Sequence, residues 1–191
     1  MRCPGKIEGK NMTHDISSFA ILREYLSADL AANEGKRRSC AYRYLKWFRF
    51  SRFCFVRKKK ILGALARIIK NHYGDRYGFD FLYTVPMGKG YTISHNSGVI
   101  FMAKEAGDNL IFRNFVVVGE SFAGSGCPVI GNNITFGTGC KVLGPITIGD
   151  HVVIGANAVV THDVPDHSVV AGVPAKVIRK TKDRWGTPYE V

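Results

Sequence analysis

Ile130, Phe136, Val142, Ile148, Ile154 and Val160 stand six residues apart without a break. A second series of smaller residues follows each by four: Ile134, Cys140, Ile146, Val152, Ala158 and Val164. Neither the helical period of 3.6 nor the strand period of 2 produces six. A hexad repeat is the signature of a parallel β-helix, in which each hexad forms one flat side of a triangular coil. The aliphatic residue then points inward and stacks on its counterpart one coil, roughly eighteen residues, away. Glycine follows four of the six, at Gly131, Gly137, Gly149 and Gly155. It is expected to supply backbone freedom at a corner where a side chain would collide.

The same rhythm runs upstream, less regularly. Met87, Ile93 and Val99 are six apart; Ala106, Phe112 and Val118 are six apart in a register shifted by one residue. Between Val118 and Ile130 lies the glycine-rich stretch "GESFAGSGCP". It reads as a loop thrown out of the coil, and loops on rigid scaffolds often carry function. The closing "DVPDHSVVAGVPAKVIRK" replaces the rhythm with prolines and charges and is expected to end the array.

The amino-terminal part differs. Phe19, Ile21, Leu22, Leu26 and Leu30 predict a helix over 15–32, capped by Asp15, Ser17 or Ser18. Residues 37–73 mix aromatics with bases and predict one or two amphipathic helices. The net charge of +12 comes from this region: thirteen Lys/Arg and no Asp/Glu lie between Lys36 and Lys70, and the remainder is close to neutral. A nucleic-acid-binding reading of the whole protein is therefore not expected. The segment predicts helices packed on the main domain with a solvated basic face. A surface drawn to anionic lipid or to an acidic substrate is the alternative.

Five cysteines with no C-x-x-C pair suggest neither a disulfide framework nor a zinc site, and free thiols fit a reducing compartment. The opening "MRCPGKIEGK" has no apolar h-region, and the longest charge-free run, Ser121–Cys140, is too polar for a membrane span. The expected location is cytoplasmic, with peripheral membrane contact through 36–70 as the alternative.

"ITIGDHVVIGANAVVTHDVPDHSVVAGVPAKVI", "ISHNSGVI" and "GCPVIGNN" together resemble the hexapeptide-repeat acyltransferases, in the serine acetyltransferase-like branch with its polysaccharide-biosynthesis relatives. The likeness spans about Phe79–Lys180. It implies a mostly β fold: a left-handed parallel β-helix over 79–180, a short α-helical region over 1–78 and a tail over 181–191. It also implies a homotrimer with the active site between subunits.

The implied activity is transfer of acetyl from acetyl-CoA to a hydroxyl, with no metal. In that branch a histidine is general base, and an aspartate fifteen residues earlier orients it. Here these are His95 and Asp80. An alcohol is a poor nucleophile at neutral pH, and a neutral imidazole can take its proton as the oxygen attacks the thioester. A carboxylate on the other ring nitrogen fixes the tautomer. His14, His72, His151, His162 and His167 lack that context and read as ordinary polar residues.

The resemblance places coenzyme A on Gly119, Gly137, Thr138, Gly155 and Ala156, with Lys176, Arg179 and Lys180 toward its phosphate. It places the acceptor near Ser94, Asn96 and Cys127, the last as a loop thiol. Serine-specific members carry Asp where Ser94 stands and Arg-His where Gly126-Cys127 precedes Pro128. Without those handles a sugar hydroxyl on a polysaccharide precursor is the expected acceptor. Serine O-acetyltransfer is the alternative, and a non-catalytic β-helix scaffold is the alternative of another class.

Overall fold

A computed structural model of the chain describes residues 15–37, 39–95 and 98–181. Three helices come first: α1 (Phe19–Ala32), α2 (Cys40–Val56) and α3 (Lys60–Tyr77). Short strands then wind into a three-sided parallel coil. One face holds β1 (Phe79–Phe81), β3 (Val99–Phe101), β6 (Val116–Gly119), β9 (Lys141–Leu143) and β12 (Val159–Val160). A second holds β4 (Glu105–Ala106), β7 (Val129–Ile130) and β10 (Thr147–Ile148). The third holds β2 (Thr92–Ile93), β5 (Ile111–Phe112), β8 (Thr135–Phe136), β11 (Val153–Ile154), β13 (Ser168–Gly172) and β14 (Ala175–Lys180).

Both hexad series point inward and are buried along their whole length. Ile130 pairs with Ile148, Phe136 with Ile154 and Val142 with Val160, each step one coil of eighteen residues. The coil above is longer. Ala106 pairs with Ile130, Phe112 with Phe136 and Val118 with Val142, twenty-four residues apart. The extra six are the exposed loop between β6 and β7, left outside the stack without disturbing the register. Farther up, Val99 pairs with Val116 and Phe101 with Val118, so both strands bury two residues on that face.

The glycine expectation needs correction. Asn109, Asn133, His151 and His167 take the left-handed conformation at successive corners (φ 56 to 58°). Gly131, Gly137, Gly149 and Gly155 do not. They are needed for space: a Cβ on Gly137 would stand 2.6 Å from the carbonyl oxygen of Ile154 in the next coil. Beside them runs a ladder the periodicity does not reveal. The amides of Asp108, Asn132 and Asp150 donate to the side-chain oxygens of Asn132, Asp150 and Asp166 at 2.7–2.8 Å. These side chains satisfy corner N–H groups that no strand reaches.

The two ends of the prism are closed differently. At the bottom, β13 and β14 form an antiparallel hairpin. At the top, α2 lays Tyr44, Leu45 and Phe48 over Phe79 and Phe81, and Tyr44 Oη accepts the Phe81 amide at 2.8 Å. Gly78 ends α3 in the left-handed region (φ 72°), which turns the chain into β1.

The helices depart from expectation in two ways. On α1 the buried positions are Leu22, Tyr25 and Asp29, whereas Phe19 is exposed. Asp29 takes a core position because Arg49 meets it there: Nε donates to Oδ2 at 2.8 Å and Nη2 to Oδ1 at 3.1 Å. Arg49, Arg52 and Lys70 are thus buried members of the basic run. Conversely, Phe55, Ile61, Leu62, Leu65 and Ile68 face outward. The outer surface of these helices is apolar as well as basic. No helix among the described residues is long and apolar enough to cross a membrane.

Candidate active site

One edge of the prism, between the third face and the first, carries six of the residues singled out in the sequence: Ser94, His95, Gly137, Thr138, Gly155 and Ala156. At each level the chain leaves the third face and turns this edge. The turns are fixed by an amide ladder: Ser94 donates to Phe112 O (2.9 Å), Arg113 to Phe136 O (3.1 Å), Gly137 to Ile154 O (2.8 Å) and Gly155 to Val170 O (2.8 Å). The residues that follow, His95, Asn114, Thr138 and Ala156, therefore stand in a column. Parallel strands are about 4.8 Å apart, so the column spans roughly 14 Å.

His95 stands at its top, exposed, in the turn between β2 and β3. It lines a cleft of about 390 Å³. Thr92, Ser94 and Arg113 form one wall of that cleft; Asn33 and Lys36, from the connection between α1 and α2, form the other. That connection is tied to the coil by Asn33, which donates to Tyr91 O at 2.8 Å, and by Thr92 Oγ1, which donates to Ala32 O at 3.0 Å. Nothing in the residue pattern signals that residues 33–36 reach the histidine. Arg113 was also missed, though its place one residue after a buried aromatic matches that of Ser94 and Gly137.

The cleft has cationic character. Lys36 is paired with Glu34. Arg113 is exposed and pairs with no carboxylate among the described residues.

Lower on the same edge, Gly137, Thr138, Gly155 and Ala156 make a narrow track. Adding a side chain to Gly137 would strike the Ile154 carbonyl and the Ala156 amide nitrogen, at 2.6 and 2.7 Å. Thr138 and Ala156 are exposed residues, and their amides donate no hydrogen bond among the described residues. A track of small residues with free N–H groups can hold an extended amide-containing chain alongside it.

The other predicted positions lie elsewhere. Asp80 is exposed on β1, opposite Ile100, and is felt electrostatically by Lys70 and Tyr44. Among the described residues it makes no hydrogen bond to His95. Gly119 ends β6 on the next edge, where its carbonyl accepts the Gly144 amide at 2.9 Å. Lys176, Arg179 and Lys180 are exposed on β14, and Lys180 Nζ donates to Ser168 Oγ at 3.2 Å. Cys127 is buried and disulfide-bonded, so the expectation of a free loop thiol is corrected; Cys40, Cys54 and Cys140 are free. Asn96 lies outside the described residues. No cluster of three or more metal-ligating side chains occurs among the described residues.

The comparisons with known proteins agree with this fold. The family description "Bacterial transferase hexapeptide (six repeats)" matches residues 127–162. A serine acetyltransferase of Helicobacter pylori J99 is 39% identical over 136 residues, covering 70% of this chain and 73% of its own. A putative colanic acid biosynthesis acetyltransferase, WcaB, of Escherichia coli K12 is 34% identical over 160 residues, covering 78% of this chain and 96% of its own. In three dimensions the crystal structure of Neisseria gonorrhoeae serine acetyltransferase superposes with a TM-score of 0.74 at 25% identity, covering 87% of this chain and 69% of that one. With its left-handed parallel β-helix and its hexad core, the chain belongs to the hexapeptide-repeat acyltransferases, in their serine acetyltransferase-like branch.

Proposed function

We propose that the protein transfers acetyl from acetyl-CoA to a sugar hydroxyl, with His95 as general base. The observation that carries this reading is the single edge on which His95 stands above a track of small residues with unused amides. In the proposed reaction the imidazole takes the hydroxyl proton while that oxygen bonds to the thioester carbonyl carbon. Backbone N–H groups hold the resulting oxyanion. The C–S bond then breaks, the imidazolium returns its proton to the leaving sulfur, and the products are the acetyl ester and free CoA.

Asp80 is assigned the task of orienting His95 and stabilising its charged form. Gly137, Thr138, Gly155 and Ala156 are assigned to the pantetheine arm. Gly119 on the neighbouring edge and Lys176, Arg179 and Lys180 complete the coenzyme site in a homotrimer, where edges of adjacent subunits meet. Ser94, Asn96 and the loop at Cys127 face the acceptor.

Two features support a sugar rather than an amino acid. Ser94 and Gly126-Cys127 supply no charged side chain for an ammonium or a carboxylate. Arg113 at the cleft suits a phosphate-bearing donor of the hydroxyl, such as a nucleotide-linked or lipid-linked sugar. The likeness to WcaB points the same way. The second reading is L-serine as acceptor, favoured by the identity to the H. pylori enzyme. An acceptor screen that follows free thiol from acetyl-CoA separates the two. Turnover with nucleotide sugars and little with L-serine supports the proposal; the reverse pattern replaces it with the second reading.

A further inference from the structure

The tip of the α2–α3 hairpin has no role in the site just described, yet its composition is unusual. Arg57, Lys58, Lys59 and Lys60 run consecutively and all are exposed. Arg57 caps the end of α2; Lys59 and Lys60 open α3, which has no acidic residue in its first turn and no side-chain cap. Cations at a helix amino terminus oppose the helix dipole, so this arrangement costs stability unless an anion faces it. No Asp or Glu occurs between Lys36 and Asp75 to do so.

Directly beside the cations, Ile61, Leu65 and Ile68 are 82%, 54% and 65% exposed. Their spacing puts them on one face of α3. Phe55 on α2 is exposed too, on the flank of the hairpin, where its ring meets Tyr83 edge-on. A groove of about 270 Å³ joins the two elements, lined by Phe55, Lys58, Lys60, Gly63, Arg67 and Tyr83. Gly63 brings the helices close enough to shape it: a Cβ there would lie 3.2 Å from that of Cys54.

We infer that this hairpin seats on a bilayer surface rich in anionic lipid. Arg57–Lys60 meet the phosphates while Ile61, Leu65 and Ile68 enter the headgroup boundary. A basic run at the end of an exposed apolar helix face is the composition of a surface that seats at the lipid headgroup boundary. A second copy of the chain fits less well. A two-fold contact across this patch would bring the two Arg57–Lys60 runs within a screening length of each other.

The test is co-sedimentation of the full chain with phosphatidylglycerol/phosphatidylcholine vesicles and with pure phosphatidylcholine vesicles. The expected result is binding to the first and little to the second, weakened by high salt. The triple variant K58E/K59E/K60E should lose affinity by on the order of a hundredfold. Ile61→Ser with Leu65→Ser should weaken binding at any salt concentration. Because all five positions are exposed, each variant should keep the parent's circular dichroism, and the acidic triple variant should melt no lower than the parent, since it removes cations from the helix amino terminus. Equal binding to both vesicle types, or none to either, overturns the inference. So does a variant that leaves vesicle binding intact but lowers the mass measured by light scattering, since a second copy would then cover the patch.

Discussion

Asp29 on α1 accepts Arg49 of α2 through both carboxylate oxygens and, through Oδ1, the backbone amide of Tyr91 at 2.9 Å. Tyr91 is the residue before β2, and the Arg49 guanidinium lies 4.5 Å from its ring centroid. The pair fixes the helices to the strand that presents His95. It is fully buried, so removing one partner strands the other without solvent. Asp29→Ala is expected to cost about 3–5 kcal/mol, read as a fall in the denaturation midpoint. Replacing both partners with apolar residues should cost less than either single change.

Burial raises several acids of the core. It pushes the Cys140 thiol from its ordinary 9.0 up to about 12, and the Tyr25 hydroxyl from 10.0 to about 12. Tyr44 and Tyr91 are raised by burial too. A group whose pKa is higher folded than unfolded adds stability that is complete below the unfolded value and is lost as pH climbs toward the folded one. Stability should therefore hold up to about pH 9 and decline between about 9 and 12, measurable as alkaline urea midpoints. Cys140→Ala should remove part of that slope.

The track of small residues has a structural duty that can be separated from its proposed ligand. Gly137→Ala forces a methyl against the Ile154 carbonyl and should cost about 1–3 kcal/mol. Thr138→Ala leaves the fold unstrained, because its exposed hydroxyl donates only to the half-buried Asn114. Its melting temperature should match the parent within roughly 1 kcal/mol of stability.

Much of this fold is legible in the residues themselves. A period of six admits one architecture, and each inward residue from Ile130 to Val160 is buried as the spacing requires. What was hidden depends on contacts between distant segments. The coil lengthened by six residues could be suspected from the gap at 124, but only pairing shows that Phe112 still meets Phe136. Arg49, Arg52 and Lys70 look like solvated charges until their partners are in place. Lys36 reaches the His95 cleft only because Asn33 and Thr92 tie two chain segments together. The outward apolar face of α3 has the same period as a packed one, so sequence cannot tell which side is covered. The corner conformations were misassigned because Asn and His tolerate the left-handed region that was credited to glycine.

Asp80 has the most distinctive expected signature. If it steadies the His95 imidazolium, Asp80→Asn should lower kcat with KM for acetyl-CoA unchanged and shift the acidic limb of the pH–rate profile. A merely structural aspartate would change neither the limb nor kcat.

The most direct measurement compares parent and His95→Ala in single-turnover thiol release from acetyl-CoA with the preferred acceptor, alongside thermal shift by CoA. Loss of roughly 10²–10⁴ in rate with the CoA-induced shift intact is the predicted result. A variant that releases thiol as fast as the parent would contradict the account.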